Sequence, residues 1–209
     1  MKIMKKTKMA LLGAIIVSAT ILSGCVFNWF DNELGKMMEA FKGRNAVIQT
    51  YDEDSNIIDR IDGRSISIKA DETFEITDEK GNVVSKSPVI KFTVGGKEML
   101  HVGSSLILAE KGLPNVFEEY AKSNDVMNQD RSIPFLNQML NKVKNYTVGM
   151  NKIILIRSQT GKPLATYVGD SVSHFATDID KSTGLIVDGH YLFIYRCDYT
   201  IYDMDLFKD

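Results

Sequence analysis

"TYDEDSNIIDRIDG", residues 50–63, decides the fold class. A β-branched and an aromatic residue lead into Asp52-Glu-Asp-Ser-Asn56, all turn formers, and Ile57-Ile58 then restarts an apolar run that Asp62-Gly63 closes. Turn chemistry between short β-branched runs predicts a hairpin. The same grammar returns in "ITDEKGNVVSK", residues 76–86, which suggests a weak internal repeat. Outward from these two stretches lie Ala46–Tyr51, Ile66–Ile68, Phe74–Ile76, Val89–Val94 and Met99–Val102, with Gly95-Gly96 between the last two. From Arg44 to about Leu108 the spacing predicts an antiparallel meander of tightly joined strands.

Helical periodicity flanks this region. Asp31 reads as an N-cap, Leu34, Met37, Met38 and Phe41 repeat at i, i+3, i+4 and i+7, and Gly43 stops the helix. Pro114 and Pro134 each suit a first helical position, with Leu113, Val116, Phe117 and Tyr120 on the apolar face of the first helix and Leu136, Met139, Leu140 and Val143 on that of the second. Lys152–Arg157 and Leu164–Val168 predict a further hairpin around Ser158–Lys162. Finally, Tyr191–Thr200 is apolar on both faces up to Ile194 and on one thereafter, as in a strand that enters mid-sheet and leaves at the edge. The class is α+β, a β-rich antiparallel meander or barrel-like sheet covered by two or three short amphipathic helices.

The start of the chain gives an address. Lys2, Lys5, Lys6 and Lys8 precede the almost uncharged Met9–Leu22, the layout of an export signal. A helix of these fourteen residues is about 21 Å long, short of the roughly 30 Å hydrocarbon core, so cleavage is expected over a permanent span. Leu22-Ser23-Gly24-Cys25 resembles the lipobox of bacterial lipoproteins. That resemblance implies a diacylglyceryl group on the Cys25 thiol and cleavage before it. It divides the chain into a signal peptide (1–24), a lipid-anchored segment (25–30), whose Phe27, Trp29 and Phe30 suit either the headgroup level or packing back on the fold, and one β-rich extracellular domain (31–209). The expected location is the cell membrane, on its extracellular face.

With the signal removed, 21 of 25 Lys and Arg remain against 27 Asp and Glu, a net charge near −6. Nucleic acid is excluded as an expected partner, because phosphate-backbone affinity needs clustered cations. Cys197 would be the one remaining cysteine, which leaves no internal disulfide framework and reads as a small buried hydrophobe.

Several tempting motifs have plainer readings. Asp52, Asp54 and Asn56 open like a calcium loop, but Ile57 stands where glycine is needed and Gly63 where a bidentate carboxylate is needed; in "DIDKSTGLIVDG", residues 178–189, Thr183 and Gly189 fail likewise. Solvated turns are the reading, with a looser calcium site the alternative. His101, His174 and His190 have no metal spacing. Ser104 and Ser105 follow His101 and, with Asp178 or Asp188, suggest a triad, but only Gly103 flanks them, against the two glycines of a nucleophile elbow. Gly95-Gly96-Lys97 lacks a phosphate loop's first glycine and following helix and reads as a hairpin turn. Asn145-Tyr-Thr147 is a glycosylation acceptor only in a eukaryotic secretory route. No catalytic residue, metal ligand or cofactor is assigned.

With the lipobox in place, "FKGRNAVIQTYDEDSNIIDRIDGRSISI", "GGKEMLHVGSSLILAEKG" and "DGHYLFIYRCDYTIYD" resemble uncharacterised lipoproteins of Gram-positive bacteria, a family built on a domain of unknown function. The resemblance covers nearly all of the mature chain and implies no activity and no catalytic residues. The hairpin repeats are also similar to those of tubby-like barrels, which wrap strands around a helix and in some members bind phospholipid; Asn56 stands where such repeats place glycine.

These readings lead to a non-enzymatic binding or interaction module of the cell envelope, held to the membrane through lipid on Cys25, with an envelope protein, a lipid or a wall polymer as ligand. The alternatives are an extracellular hydrolase whose site is assembled from distant strands, and an envelope assembly or stress factor.

Overall fold

Strand β1 (Asn45–Tyr51) is flanked on both sides, by β2 (Ile57–Arg64) and by β8 (Ser105–Glu110). Its neighbours close its edges and packed layers cover most of its two faces, so Gln49 and Thr50 are buried along with Ile48. The computed structural model describes residues 41–124 and 149–207. The helices expected at 31–43 and from Pro134 lie outside that range apart from the Phe41–Gly43 turn, as do the lipobox residues Leu22, Ser23, Gly24 and Cys25, the segment 25–30 and Asn145. Gly43 takes the left-handed conformation, with φ +79.

The remaining strands are β3 (Ile66–Ala70), β4 (Ile76–Thr77), β5 (Val83–Ser85), β6 (Ile90–Val94), β7 (Lys97–His101), β9 (Lys152–Arg157), β10 (Pro163–Gly169), β11 (Val172–Phe175), β12 (Ser182–Val187), β13 (His190–Tyr195) and β14 (Asp198–Asp203). They form a six-stranded sheet in the order β11-β12-β13-β8-β1-β2, two three-stranded sheets, β10-β9-β14 and β3-β6-β7, and the small β4-β5 hairpin. Every pairing is antiparallel. The β4-β5 hairpin leaves Ile76, Val83 and Val84 exposed.

The period-2 alternation of the central strands explains the layering. Ile48, Leu106, Leu108, Phe193 and Tyr195 pack with Ile66, Ile68, Ile90 and Phe92 of the β3-β6-β7 sheet. The alternate residues Tyr51, Ile107, Leu192 and Ile194 pack with Ile154, Ile156, Leu164 and Tyr167 of the β10-β9-β14 sheet. On the far face of that sheet, Ile153, Leu155 and Val168 meet Val116 and Tyr120 of helix α1 (Val116–Asn124). The central strands of the six-stranded sheet are therefore covered on both faces by strands, and α1 forms an outer layer over part of the stack.

Among the described residues there is one α-helix, with two short 3₁₀ turns at Glu72–Phe74 and Met204–Phe207; the other two expected helices fall on residues outside the described range. Two expectations change. Among the described residues no sheet closes into a barrel, and α1 lies outside a sheet instead of inside a ring of strands, so the tubby-like architecture is not found there. Nor is the sheet a simple meander: β1 pairs with β8 and β8 with β13, long-range partners that hairpin spacing does not reveal.

Local corrections follow from backbone geometry. Asp62-Gly63 is strand, not turn; a Cβ on Gly63 would stand 2.3 Å from Val94 Cγ1, so the glycine admits the neighbouring sheet. The chain turns instead at Ser65, with φ +53. Helix α1 begins one residue beyond Asn115, whose Oδ1 accepts from the Glu118 N–H at 3.3 Å, so Pro114 precedes the cap and not the first turn. The expected strand 191–200 is broken: β13 ends in mid-sheet, Arg196 takes φ +50, and β14 becomes the edge of a different sheet. The hairpin around Ser158–Lys162 and the Gly95-Gly96 turn form as expected.

Candidate ligand-binding groove

One face of the β1-β2 pair is only partly roofed. Antiparallel register aligns Gln49 with Arg60 of β2 and with Ile107 of β8, and aligns Val47 with Asp62 and with Ala109. Residues so paired point to the same side of a sheet. Tyr167 of β10, together with Leu113, Asn115 and Glu118 at the start of α1, borders this side. Between them lies a groove of about 320 Å³.

Two polar side chains line the groove from deep in the fold: Gln49 is 6% exposed and Tyr167 2%. Among the described residues no group hydrogen-bonds the Gln49 amide or the Tyr167 hydroxyl, yet neither is sealed from solvent; the one sealed, unpartnered side-chain polar atom is Ser55 Oγ. Buried polar groups are almost always partnered, and the exceptions call for a reason. Their open side is the groove. Burial raises the Tyr167 phenol above its usual range, with the Glu118 carboxylate acting in the same direction, so it stays protonated and can both donate and accept. Tyr51 is raised for the same first reason, burial, with further contributions from Tyr167 and Glu118.

The rim is charged but internally paired. Lys111 Nζ lies 2.7 Å from Asp62, and this contact is the main reason the Asp62 carboxyl is held below the usual carboxylate range. Arg60 reaches Glu118 at 3.5 Å and Asp62 at 3.6 Å. Behind it, Arg44 Nη1 donates to Glu110 Oε1 at 2.6 Å, Glu110 Oε2 accepts from the Tyr191 N–H at 3.0 Å, and the Arg44 guanidinium lies 5.0 Å from the Tyr191 ring centroid. Asn115 is fixed by its Oδ1, which also accepts from the Thr166 N–H at 3.0 Å and so ties α1 to β10 at the groove wall.

The residues weighed from sequence are placed elsewhere. His101 bonds through Nε2 to the Ser104 backbone carbonyl at 2.9 Å, not to a serine hydroxyl, and its ring stands edge-on to Tyr195. Ser105 is buried and donates its hydroxyl to the Arg196 carbonyl at 2.8 Å. Asp188 accepts from the Asp170 and Ser171 N–H groups, a loop cap, while Asp178 meets Lys86 through its backbone carbonyl. His174 is on the outermost strand β11 and His190 opens β13. Among the described residues no three His, Cys, Asp or Glu cluster as a metal site, and no helix is long and apolar enough to cross a membrane. Cys197 is half-buried, its thiol pushed up to about 12 by burial and donating to the Tyr195 carbonyl at 3.2 Å.

The acidic turns are built as turns. Asp52 Oδ1 accepts from the Asp54 and Asn56 N–H groups at 2.9 and 2.8 Å, and Oδ2 accepts from Asn56 Nδ2 at 2.9 Å. Asp78 does the same with Lys80 and Asn82, at 2.9, 2.8 and 2.9 Å. Each of these carboxylates therefore spends one oxygen on backbone N–H groups and the other on the asparagine side chain, and Asp54 pairs with Lys162. In both turns, and in Ser158–Lys162, the fourth residue is left-handed: Ser55 at φ +70, Gly81 at +81 and Gly161 at +85. Ser55, not Asn56, therefore occupies the repeat's glycine position.

Gln49 and Tyr167 escape a motif search because neither belongs to a catalytic or metal-ligand pattern. The available signal is the amide itself, a polar residue inside the apolar run "AVIQTY".

Fold and groove together define a class: a layered antiparallel β protein with a small polar recess beside the start of its helix. A family model described as Domain of unknown function (DUF5052) matches residues 5–207, and the chain belongs to that family. No curated protein and no solved structure matches it.

Proposed function

We propose that the chain is a lipoprotein anchored through diacylglycerol on Cys25, displayed on the extracellular face of the membrane, and working as a non-enzymatic binding module of the cell envelope. The groove over β1 and β2 is its binding site. The observation that carries this reading is the pair of deeply buried, unpartnered polar groups, Gln49 and Tyr167, that line one recess. Both groups still reach solvent through the groove, so water meets them in the free protein, and a ligand with matching donors and acceptors can take that water's place. The anchor rests on the sequence, Leu22-Ser23-Gly24-Cys25 behind a basic and then apolar leader. Two acyl chains give stable attachment where one gives reversible binding.

A photoreactive amino acid in place of Lys111, at the groove rim, tests the reading on intact cells carrying the full chain. The expected result is an adduct with an envelope component that weakens when Gln49→Leu is added. An adduct indifferent to Gln49→Leu, no adduct at all, or turnover of a hydrolase substrate by the purified chain overturns it.

A further inference from the structure

We infer that the groove takes an uncharged saccharide ring. The inference rests on the groove being the binding site and goes further by naming its ligand class. Both cations at the rim already have carboxylate partners, Lys111 with Asp62 and Arg60 with Asp62 and Glu118. An anionic ligand must take a cation from these carboxylates, and a cationic ligand must take a carboxylate from these cations. A neutral ligand disturbs neither pair. What the groove leaves unsatisfied is neutral as well: an amide with one acceptor oxygen and two donor hydrogens, and a phenol that donates and accepts. Vicinal sugar hydroxyls, each both donor and acceptor, match that combination. The lining also includes Val47, Ala109 and Leu113, apolar surface for the C–H face of a ring. About 320 Å³ stands at the lower end of small-ligand sites, suited to one ring and its substituents.

Three probes that share one ring and differ in charge test this: N-acetylglucosamine, glucosamine and glucuronate, titrated calorimetrically into the detergent-solubilised full chain. N-acetylglucosamine is expected to bind at least tenfold tighter than either charged probe. Tyr167→Phe, which keeps the ring and removes only the hydroxyl, is expected to weaken it about tenfold with the circular dichroism spectrum unchanged. Gln49→Leu provides a second, independent loss. An N-acetylglucosamine trimer that binds tighter than the monomer identifies a polymer as the source, and equal affinities identify a free sugar. Equal or tighter binding of a charged probe, no binding of any probe, or neutral-sugar binding that both variants leave intact overturns the saccharide assignment. If Lys111 crosslinking on cells still gives a Gln49-dependent adduct in those cases, the binding-module reading survives and only the ligand class falls.

Discussion

Gln49 of the six-stranded sheet and Tyr167 of the β10-β9-β14 sheet line the same groove from two different layers, each nearly inaccessible and each without a hydrogen-bond partner among the described residues. Register places Arg60 beside Gln49, and the charges of Glu118 and Arg60 act on the Tyr167 phenol. The recess exists because β10 and the start of α1 meet over β1 without fully covering the face that Val47 and Gln49 share with Arg60 and Asp62.

Ser55→Gly is expected to stabilise the fold by about 0.5–1 kcal/mol. The residue is held at φ +70 and its hydroxyl is buried without a partner, whereas Gly81 and Gly161 fill the equivalent positions freely. Relief of left-handed strain and of one unsatisfied group exceeds the added chain entropy of glycine. Denaturant unfolding of the purified chain measures it, and a loss of stability would show that the serine contributes an interaction of its own.

Gly184→Ala is expected to destabilise by about 1–3 kcal/mol. Gly184 faces Phe175 across the β11-β12 pair, and a Cβ there would stand 2.3 Å from the phenyl ring. The aromatic ring fills the space that glycine leaves, a cross-strand arrangement that pins register at this end of the sheet. Adding Phe175→Leu should recover part of the loss in a double-mutant cycle; strict additivity of the two changes would contradict the contact.

Stability is expected to fall on both sides of neutrality. Burial raises the Cys197 thiol from about 9 to about 12 and raises the Tyr51 and Tyr167 phenols as well. Raised groups stabilise the fold fully below their unfolded values and lose that contribution as pH climbs through the folded ones, so melting temperature should drop from about pH 9 to 12. The Asn56 and Asn82 side chains, with backbone N–H groups, hold the Asp52 and Asp78 carboxyls below the usual range, and the Thr73 side chain does the same for Asp71. Their contribution is present above the ordinary carboxylate value and is lost as pH falls below it. A melting temperature flat from pH 9 to 12 would contradict the alkaline half, and the folded Cys197 thiol should resist alkylation at neutral pH.

Cys25→Ala is expected to abolish incorporation of labelled palmitate and to leave uncut precursor in the membrane fraction. Normal maturation of that variant would refute attachment at Cys25.

Much of the local fold was legible in the sequence because hairpin chemistry is local. "DEDSN", "DEKGN" and "SQTGK" announce their turns, and both-face apolarity in "YLFI" announces a central strand. Pairing of β1 with β8 and of β8 with β13 was not legible, since any buried antiparallel neighbour satisfies the same apolar pattern. β12 was hidden by the acidic residues around it, which drew attention to calcium geometry, and the break at Arg196 was hidden by continuous alternation through residue 200. The groove needed three dimensions: Gln49, Arg60, Asn115 and Tyr167 are polar residues of ordinary type until layering brings them around one recess.

Tyr167→Phe measured in one preparation for both unfolding free energy and crosslinking yield from position 111 tests the groove most directly. Because the hydroxyl has no partner among the described residues, stability should hold or rise by up to about 1 kcal/mol while the adduct is lost. A destabilisation of about 1 kcal/mol or more with undiminished adduct would show that the hydroxyl serves the fold and that the recess is not a binding site.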